Sequence, residues 1–63
     1  MNSKFVEFKT VDNTKVRFQK SNIAAVEEIP ASARSEGYVK IFVAGFAFSV
    51  RLTLEEVMKA IAQ

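Results

Sequence analysis

The chain of 63 residues contains no cysteine and no histidine. Without cysteine there can be no disulfide bond to hold the fold and no thiolate zinc site. Without histidine the chain lacks the commonest general base and metal ligand, and its serines have no imidazole to activate them as nucleophiles. We therefore expect a non-enzymatic protein, and we predict no catalytic residue, no cofactor and no metal site.

Glycine and proline are scarce, with two glycines and one proline in the chain. Gly37 and Gly45 are isolated, so they do not form the glycine-rich loop that binds phosphate groups. The sequence also lacks the long apolar run that a signal peptide or a transmembrane helix needs. We expect a cytoplasmic protein that does not associate with a membrane.

Hydrophobic residues, by contrast, make up 49% of the chain, and six of them are phenylalanine. The length predicts a single small domain over residues 1–63, and a domain of this size buries only about 60% of its unfolded surface. The apolar excess therefore predicts a homo-oligomer, with a two-fold dimer as the commonest closed form. The net charge of +2 permits binding to nucleic acid but does not require it.

The clearest pattern lies in residues 38–62, where two strands and a tight turn precede a helix. Apolar residues alternate with other residues in two runs, which is the period of a strand. One face of the first run carries Val39, Ile41 and Val43, and one face of the second carries Phe46, Phe48, Val50 and Leu52. Ala44-Gly45 between the runs predicts a tight reversal, because glycine accepts a positive φ angle.

A C-terminal helix is predicted from Leu54 to Ala62. Thr53 followed by Glu56 is the capping-box pattern, in which each side chain satisfies a free backbone N–H group. The apolar positions have the spacing of an amphipathic helix, and they are Leu54, Val57, Met58 and Ile61. We expect this stripe to pack on the sheet.

The N-terminal half predicts a first strand over residues 4–11 and a second over residues 15–20. Asp12-Asn13 between them is a suitable two-residue hairpin connection, since both residues tolerate the left-handed region. Ser21-Asn22 follows as a turn or a single helical turn. The inward faces of the two strands are expected to carry Val6, Phe8, Val16 and Phe18.

Residues 23–29 fit two structures, because Ile23 and Val26 suit a helical turn whereas Val26 to Ile29 suits a third strand. As a strand, it would lie at an edge, because Glu27 and Glu28 place one carboxylate on each face. Residues 30–37 lack periodicity and predict an exposed loop. The fold class is therefore α+β, a small, strongly bent antiparallel sheet of about five strands with one C-terminal helix.

The face opposite the aliphatic set combines aromatic and basic side chains. The candidate interaction residues are Phe5, Arg17, Tyr38, Lys40, Phe42 and Arg51, with Lys9 on the same face. Exposed apolar residues often mark protein contacts, so the leading hypothesis is a small regulatory protein that binds a protein partner and buries Phe5 and Phe42 in a dimer. The alternative is a nucleic-acid-binding regulator, because aromatic rings among basic side chains resemble a platform for unpaired bases.

Two segments resemble a known family of short bacterial chains. The first has the counterparts Ile23, Val26, Glu27, Glu28 and Pro30, and the second has Val50, Arg51, Thr53, Glu55, Glu56 and Val57. Together they resemble the FlbD-like flagellar small proteins, and similar short chains occur in phage genomes. The resemblance implies a small bacterial or phage regulatory protein and transfers no catalytic residue. Residues 51–56 also resemble, more loosely, a run in the larger LytTR class of DNA-binding domains.

Overall fold

The computed structural model describes residues 3–63, which form five antiparallel strands, a short 3-10 turn and a C-terminal helix. The strands are β1 (Phe5–Lys9), β2 (Lys15–Gln19), β3 (Ile23–Ile29), β4 (Tyr38–Val43) and β5 (Phe46–Val50), and helix α1 spans Leu54–Ala62. β1 pairs with β2 in one sheet, and β3, β4 and β5 form a second sheet in that order. The predicted α+β class is confirmed. The single-domain assignment stays a prediction, and residues 1 and 2 of its range lie outside the described residues.

Two connections join the sheets into a bent arrangement. The 3-10 turn Lys20–Asn22 leads from β2 directly into β3, which confirms the predicted single helical turn at this point. At the other end, the Val11 N–H donates to the Ser49 carbonyl oxygen at 2.9 Å and ties the end of β1 to β5. The bent sheet expected from the sequence is thus divided into two hydrogen-bonded parts.

The β1–β2 hairpin has a different loop from the one predicted. The Asn13 N–H donates to the Thr10 carbonyl at 2.9 Å, and the Thr10 N–H donates to the Thr14 carbonyl at 2.8 Å. Val11 therefore joins Asp12 and Asn13 in a three-residue loop, and the two-residue prediction was wrong. Only Asn13 of the three has a positive φ, 66°, as expected for a turn that ends in one left-handed residue.

The β4–β5 hairpin confirms the predicted tight reversal. Ala44 and Gly45 both have positive φ angles, 47° and 87°, and Val43 pairs with Phe46 across the turn. Two left-handed central residues match the right-handed twist of the flanking strands. Ala44 adopts this conformation at a cost of about 1–2 kcal/mol, because its Cβ crowds the backbone.

The strand alternative for residues 23–29 is correct, and β3 is an edge of its sheet, as the acidic pair predicted. The loop that follows it is exposed over residues 30–36. Gly37 closes the loop where space is short, because a Cβ there would lie 3.0 Å from both the Ala31 nitrogen and the Ile29 oxygen. The glycine therefore allows the loop to return to β4 close beside the end of β3.

The hydrophobic core lies between the two sheets and the helix. Its buried side chains are Val6, Phe8, Val39, Ile41, Val43, Val50 and Val57. The ring of Phe18 stacks on Phe8, with 5.9 Å between ring centroids, and on Phe48, with 5.8 Å. Because Phe18 belongs to β2 and Phe48 to β5, this stack links the first sheet to the second.

Helix α1 begins with the predicted capping box. The Glu56 N–H donates to Thr53 Oγ1 at 3.1 Å, and the Thr53 N–H donates to Glu56 Oε1 at 2.9 Å. Val57 is fully buried, while Leu54 and Ile61 are partly buried against the core. The helix thus contributes its apolar stripe to the core, as the spacing predicted, with one exception.

Three apolar residues that share a predicted face with core residues are exposed. Met58 is 49% exposed, because it lies 100° around the helix from the buried Val57 and so at the margin of the stripe. Phe46 is 70% exposed, because it is the first residue of β5 and lies next to the hairpin turn. Leu52 lies beyond the last residue of β5 and is 36% exposed.

The helix packing predicts a large difference between two adjacent positions. Val57→Ala should destabilise the domain by about 2–3 kcal/mol, because it opens a cavity at a fully buried site. Met58→Ala, at the exposed margin, should cost less than about 1 kcal/mol. Thermal unfolding checks both, and a fall of about 10 °C or more is expected for Val57→Ala alone. Equal midpoints for the two variants would contradict the assigned helix orientation.

Candidate interaction surface

Three of the predicted interaction residues, Tyr38, Lys40 and Phe42, alternate along β4 with buried aliphatic residues. They therefore project from the side of the sheet that faces away from the core. All three side chains are half-buried rather than free in solvent. We call this surface, formed by Tyr38, Lys40 and Phe42, the β4 face.

The strands on either side of β4 present mostly short side chains next to the β4 face. Phe42 lies between Ala25 of β3 and Ala47 of β5 in the two ladders. Lys40 lies between Glu27 and Ser49 in the same way. Since directly opposed side chains have Cβ atoms about 5 Å apart, the two short alanine side chains cover only part of the Phe42 ring, which is half-buried.

At the Tyr38 end, the β4 face opens into a groove of about 570 Å³. The groove is lined by Val11, Arg34, Ser35, Glu36, Gly37, Tyr38, Ser49 and Arg51. Two predicted residues, Tyr38 and Arg51, thus meet in one concave site. Sequence reasoning missed Arg34, although an arginine and a glutamate among the small residues of the loop were the available signal.

A second groove of about 520 Å³ adjoins the first, because both are lined by Val11 and Arg51. Lys9 and Asn13 line this second groove, beside the exposed Leu52. We call the two together the arginine groove. It brings the cations of Lys9, Arg34 and Arg51 from three different segments of the chain to one side of the domain.

One carboxylate lies among these cations. Glu36 Oε2 is 3.7 Å from Arg51 Nη1, and their side chains are 83% and 68% exposed. An ion pair this exposed contributes little to stability, because water and salt screen it. Arg51 is therefore available to a stronger anionic partner.

The two remaining predicted residues, Phe5 and Arg17, lie on the outer side of the β1–β2 sheet, away from the β4 face. Arg17 Nη2 donates to Glu7 Oε1 at 2.9 Å across the strand pair, and Lys15 Nζ lies 3.8 Å from Glu7 Oε2. Phe5 is 47% exposed at the start of β1. The structure therefore brings four of the six predicted residues together and places these two on another sheet.

The contacts of Glu7 change its acidity. The hydrogen bond from Arg17 is the largest cause that lowers the pKa of the Glu7 carboxyl, loss of hydration opposes it, and the charge of Lys15 adds to the lowering. Because the pKa of Glu7 is lowered, its contact with Arg17 stabilises the fold at pH values above the ordinary pKa of a glutamate. That contribution disappears as the pH falls through the lowered pKa.

Sequence reasoning also missed an exposed apolar surface, the ring of Phe46. Phe46 and Phe48 are two residues apart on β5 and so project from the same side of the strand. The rings of Phe8, Phe18 and Phe48 are stacked in sequence, and exposure rises from 4% at Phe8 to 70% at Phe46. Three stacked rings thus extend outward from the core, and Phe46 lies beyond them on the same face of β5 with its ring exposed.

No family model matches the chain, and neither the curated proteins nor the solved structures that were searched include a match to it. The resemblance to the FlbD-like proteins therefore stays a prediction. Within residues 3–63, no three acidic, histidine or cysteine side chains are grouped so that they could hold a metal ion. Over the same range, no helix has the length and apolar character that crossing a membrane requires.

The Glu7 contacts predict a specific titration. Arg17→Gln should raise the pKa of Glu7 toward the ordinary range, because it removes the main group that stabilises the carboxylate. Carbon-detected NMR of the Glu7 side chain across acidic pH measures this midpoint. Lys59→Gln, an exposed cation on the helix, serves as the control and should leave the midpoint unchanged. If the titration midpoint of Glu7 is the same in wild type and in Arg17→Gln, the ion pair between these residues does not persist in solution.

Proposed function

We propose that the chain is a small, non-enzymatic regulatory protein of bacterial or phage origin, cytoplasmic, that self-associates and binds a protein partner. A two-fold dimer is the simplest assembly. The observation that supports the proposal most is the ring of Phe46, because this residue is 70% exposed on the face of β5 that also carries Phe48. A large ring left in water beside half-buried aromatic neighbours is typical of a contact site.

Burial of the Phe46 ring would favour association. Covering an exposed phenylalanine side chain is worth about 1.5–3 kcal/mol, and a two-fold contact covers the ring on each copy. A partner ring can also stack on Phe46 in the way that Phe18 stacks on Phe48. The contact would add an aromatic pair between the two copies, beside the stack of Phe8, Phe18 and Phe48 within each copy.

The dimer contact expected from the sequence used Phe5 and Phe42. Phe5 is about half exposed and Phe42 is half-buried, and they belong to different sheets. They therefore do not compose one flat patch, whereas Phe46 shares its face of β5 with Phe48 and is more exposed than Phe5 or Phe42. We accordingly move the centre of the proposed contact to Phe46 and keep Phe5 and Phe42 as alternatives.

The oligomer proposal predicts a mass of two chains by light scattering after size exclusion at micromolar concentration. Phe46→Asp should convert the dimer to a monomer, because it places a charge in the contact. Phe46→Leu, which keeps an apolar side chain there, should remain dimeric. Circular dichroism must show an unchanged fold for both variants.

Phe5→Asp and Phe42→Asp, measured in the same way, report on the alternative contacts. Dissociation by one of these two but not by Phe46→Asp would relocate the contact. A wild-type chain that stays monomeric as concentration rises would refute self-association.

A second candidate function is nucleic-acid binding, and the β4 face favours it. Tyr38, Lys40 and Phe42 place a basic group between two rings on one surface, and Arg51 lies beside Tyr38 in the arginine groove. Unpaired bases stack on such rings, at about 1–3 kcal/mol per base, while cations contact the backbone phosphates. The opposing Glu27 makes the surface less basic than its lysine alone suggests.

The second candidate predicts that the chain binds a labelled, mixed-sequence single-stranded oligonucleotide at low salt. Lys40→Glu or Arg51→Glu should abolish binding, because each places a carboxylate on the path of the phosphates. Lys59→Glu, the same charge change on the helix, is the matched control and should have a small effect. Fluorescence anisotropy measures the affinity, and no binding at tens of micromolar protein would exclude this function.

A further inference from the structure

We infer that the arginine groove is a phosphate-binding channel that feeds a single-stranded nucleic acid onto the β4 face. The inference rests on the second candidate function and adds Lys9 and Arg34 to its binding residues. It also assigns Glu36 as a residue that weakens binding.

Positive charge is distributed along the groove. Lys9 is the last residue of β1, Arg34 lies in the loop before β4, and Arg51 follows β5, so three segments contribute one cation each. The carboxylate that faces them is Glu36. The lining therefore has a net positive charge, and its cations line a concave path rather than one point, as backbone phosphates require.

The aromatic rings continue from the groove along β4. Tyr38 is shared by the groove and the β4 face. Phe42 is four residues further along the same strand, which places the Cα atoms of the two residues about 13 Å apart. This separation is too large for one base to contact both rings, so the two rings would hold two different bases of one strand, with Lys40 between them.

The rings of the β4 face favour single-stranded over double-stranded ligands. Ring stacking requires the flat side of a base, and a duplex hides that side between neighbouring base pairs. The half-buried rings of the β4 face therefore add affinity only for unpaired bases. The groove cations alone would bind either form. A preference for single strands therefore measures how much the rings contribute to the affinity.

Glu36 would compete with a phosphate for Arg51. Its Oε2 atom lies 3.7 Å from Arg51 Nη1, so a phosphate oxygen that pairs with this guanidinium would take its place. A phosphate must displace this carboxylate and must also approach its negative charge. Removal of that charge should therefore strengthen binding, an effect opposite to that of removing a groove cation.

The test uses two single-charge changes that lie two positions apart on the same exposed loop. The probe is a fluorescein-labelled, mixed-sequence RNA of twelve nucleotides, with its duplex form as a second probe. Arg34→Gln should weaken binding of the single strand by about threefold to tenfold and reduce the salt slope by about 0.7. Glu36→Gln should strengthen binding by a similar factor. Lys59→Gln and Glu55→Gln on the helix are matched controls for charge.

Opposite changes at positions 34 and 36, with smaller changes in the two helix controls and weaker binding of the duplex, support the channel. Binding that is lost in Lys40→Glu but unaffected at positions 34 and 36 would overturn the channel while leaving the second candidate function intact. Helix controls that change affinity as much as the loop variants would overturn it as well, since only overall charge would then matter. No binding by the wild-type chain would overturn both.

Discussion

The stack of Phe18 on Phe48, with 5.8 Å between ring centroids, joins two small sheets that depend on each other for stability. A two-stranded hairpin such as β1–β2 is marginal in water, and it becomes stable only when it packs against another apolar surface. The second sheet in turn leaves Val39, Ile41 and Val43 of β4 to be covered. The inner faces of the sheets cover one another, and Val57 of the helix completes the core.

In this arrangement only one face of β4 is buried in the core. Strand alternation places the aliphatic side chains of β4 in the core and therefore places Tyr38, Lys40 and Phe42 on the opposite side. The buried side chains of Val39, Ile41 and Val43 hold β4 in the core, so the side chains on its outer face are not needed for core packing. A face that mixes rings and a cation is a consequence of how β4 is buried.

Local signals explain why much of the fold could be predicted from the sequence. The capping box at Thr53 and the turn at Ala44-Gly45 depend on residues within four positions of each other, and both were confirmed. Alternation identifies the face of a residue but not its depth. Phe46 and Val50 share a face, yet Val50 is fully buried and Phe46 is 70% exposed, because β5 begins at the exposed hairpin turn and enters the core only toward its C-terminal end.

The candidate site was predictable only in part for a related reason. Tyr38, Lys40 and Phe42 share one strand, so their common face followed from the period of the strand. The arginine groove instead unites residues from three segments, and no period connects Arg34 in a loop to Lys9 of β1. Its formation depends on how the loop returns at Gly37 and on where the end of β1 meets β5.

The two candidate functions use opposite sides of the same sheet and are therefore compatible. Phe46 pairs with the buried Val43 and so lies on the core side, whereas Phe42 pairs with Ala47 on the outer side. Self-association through Phe46 would leave the β4 face and its groove uncovered on each copy. A dimer of this kind would carry two nucleic-acid sites, and one strand long enough to reach both would bind more tightly than either site alone allows. The modest charge of a single chain would then matter less, because the assembly would double the number of cations along the strand.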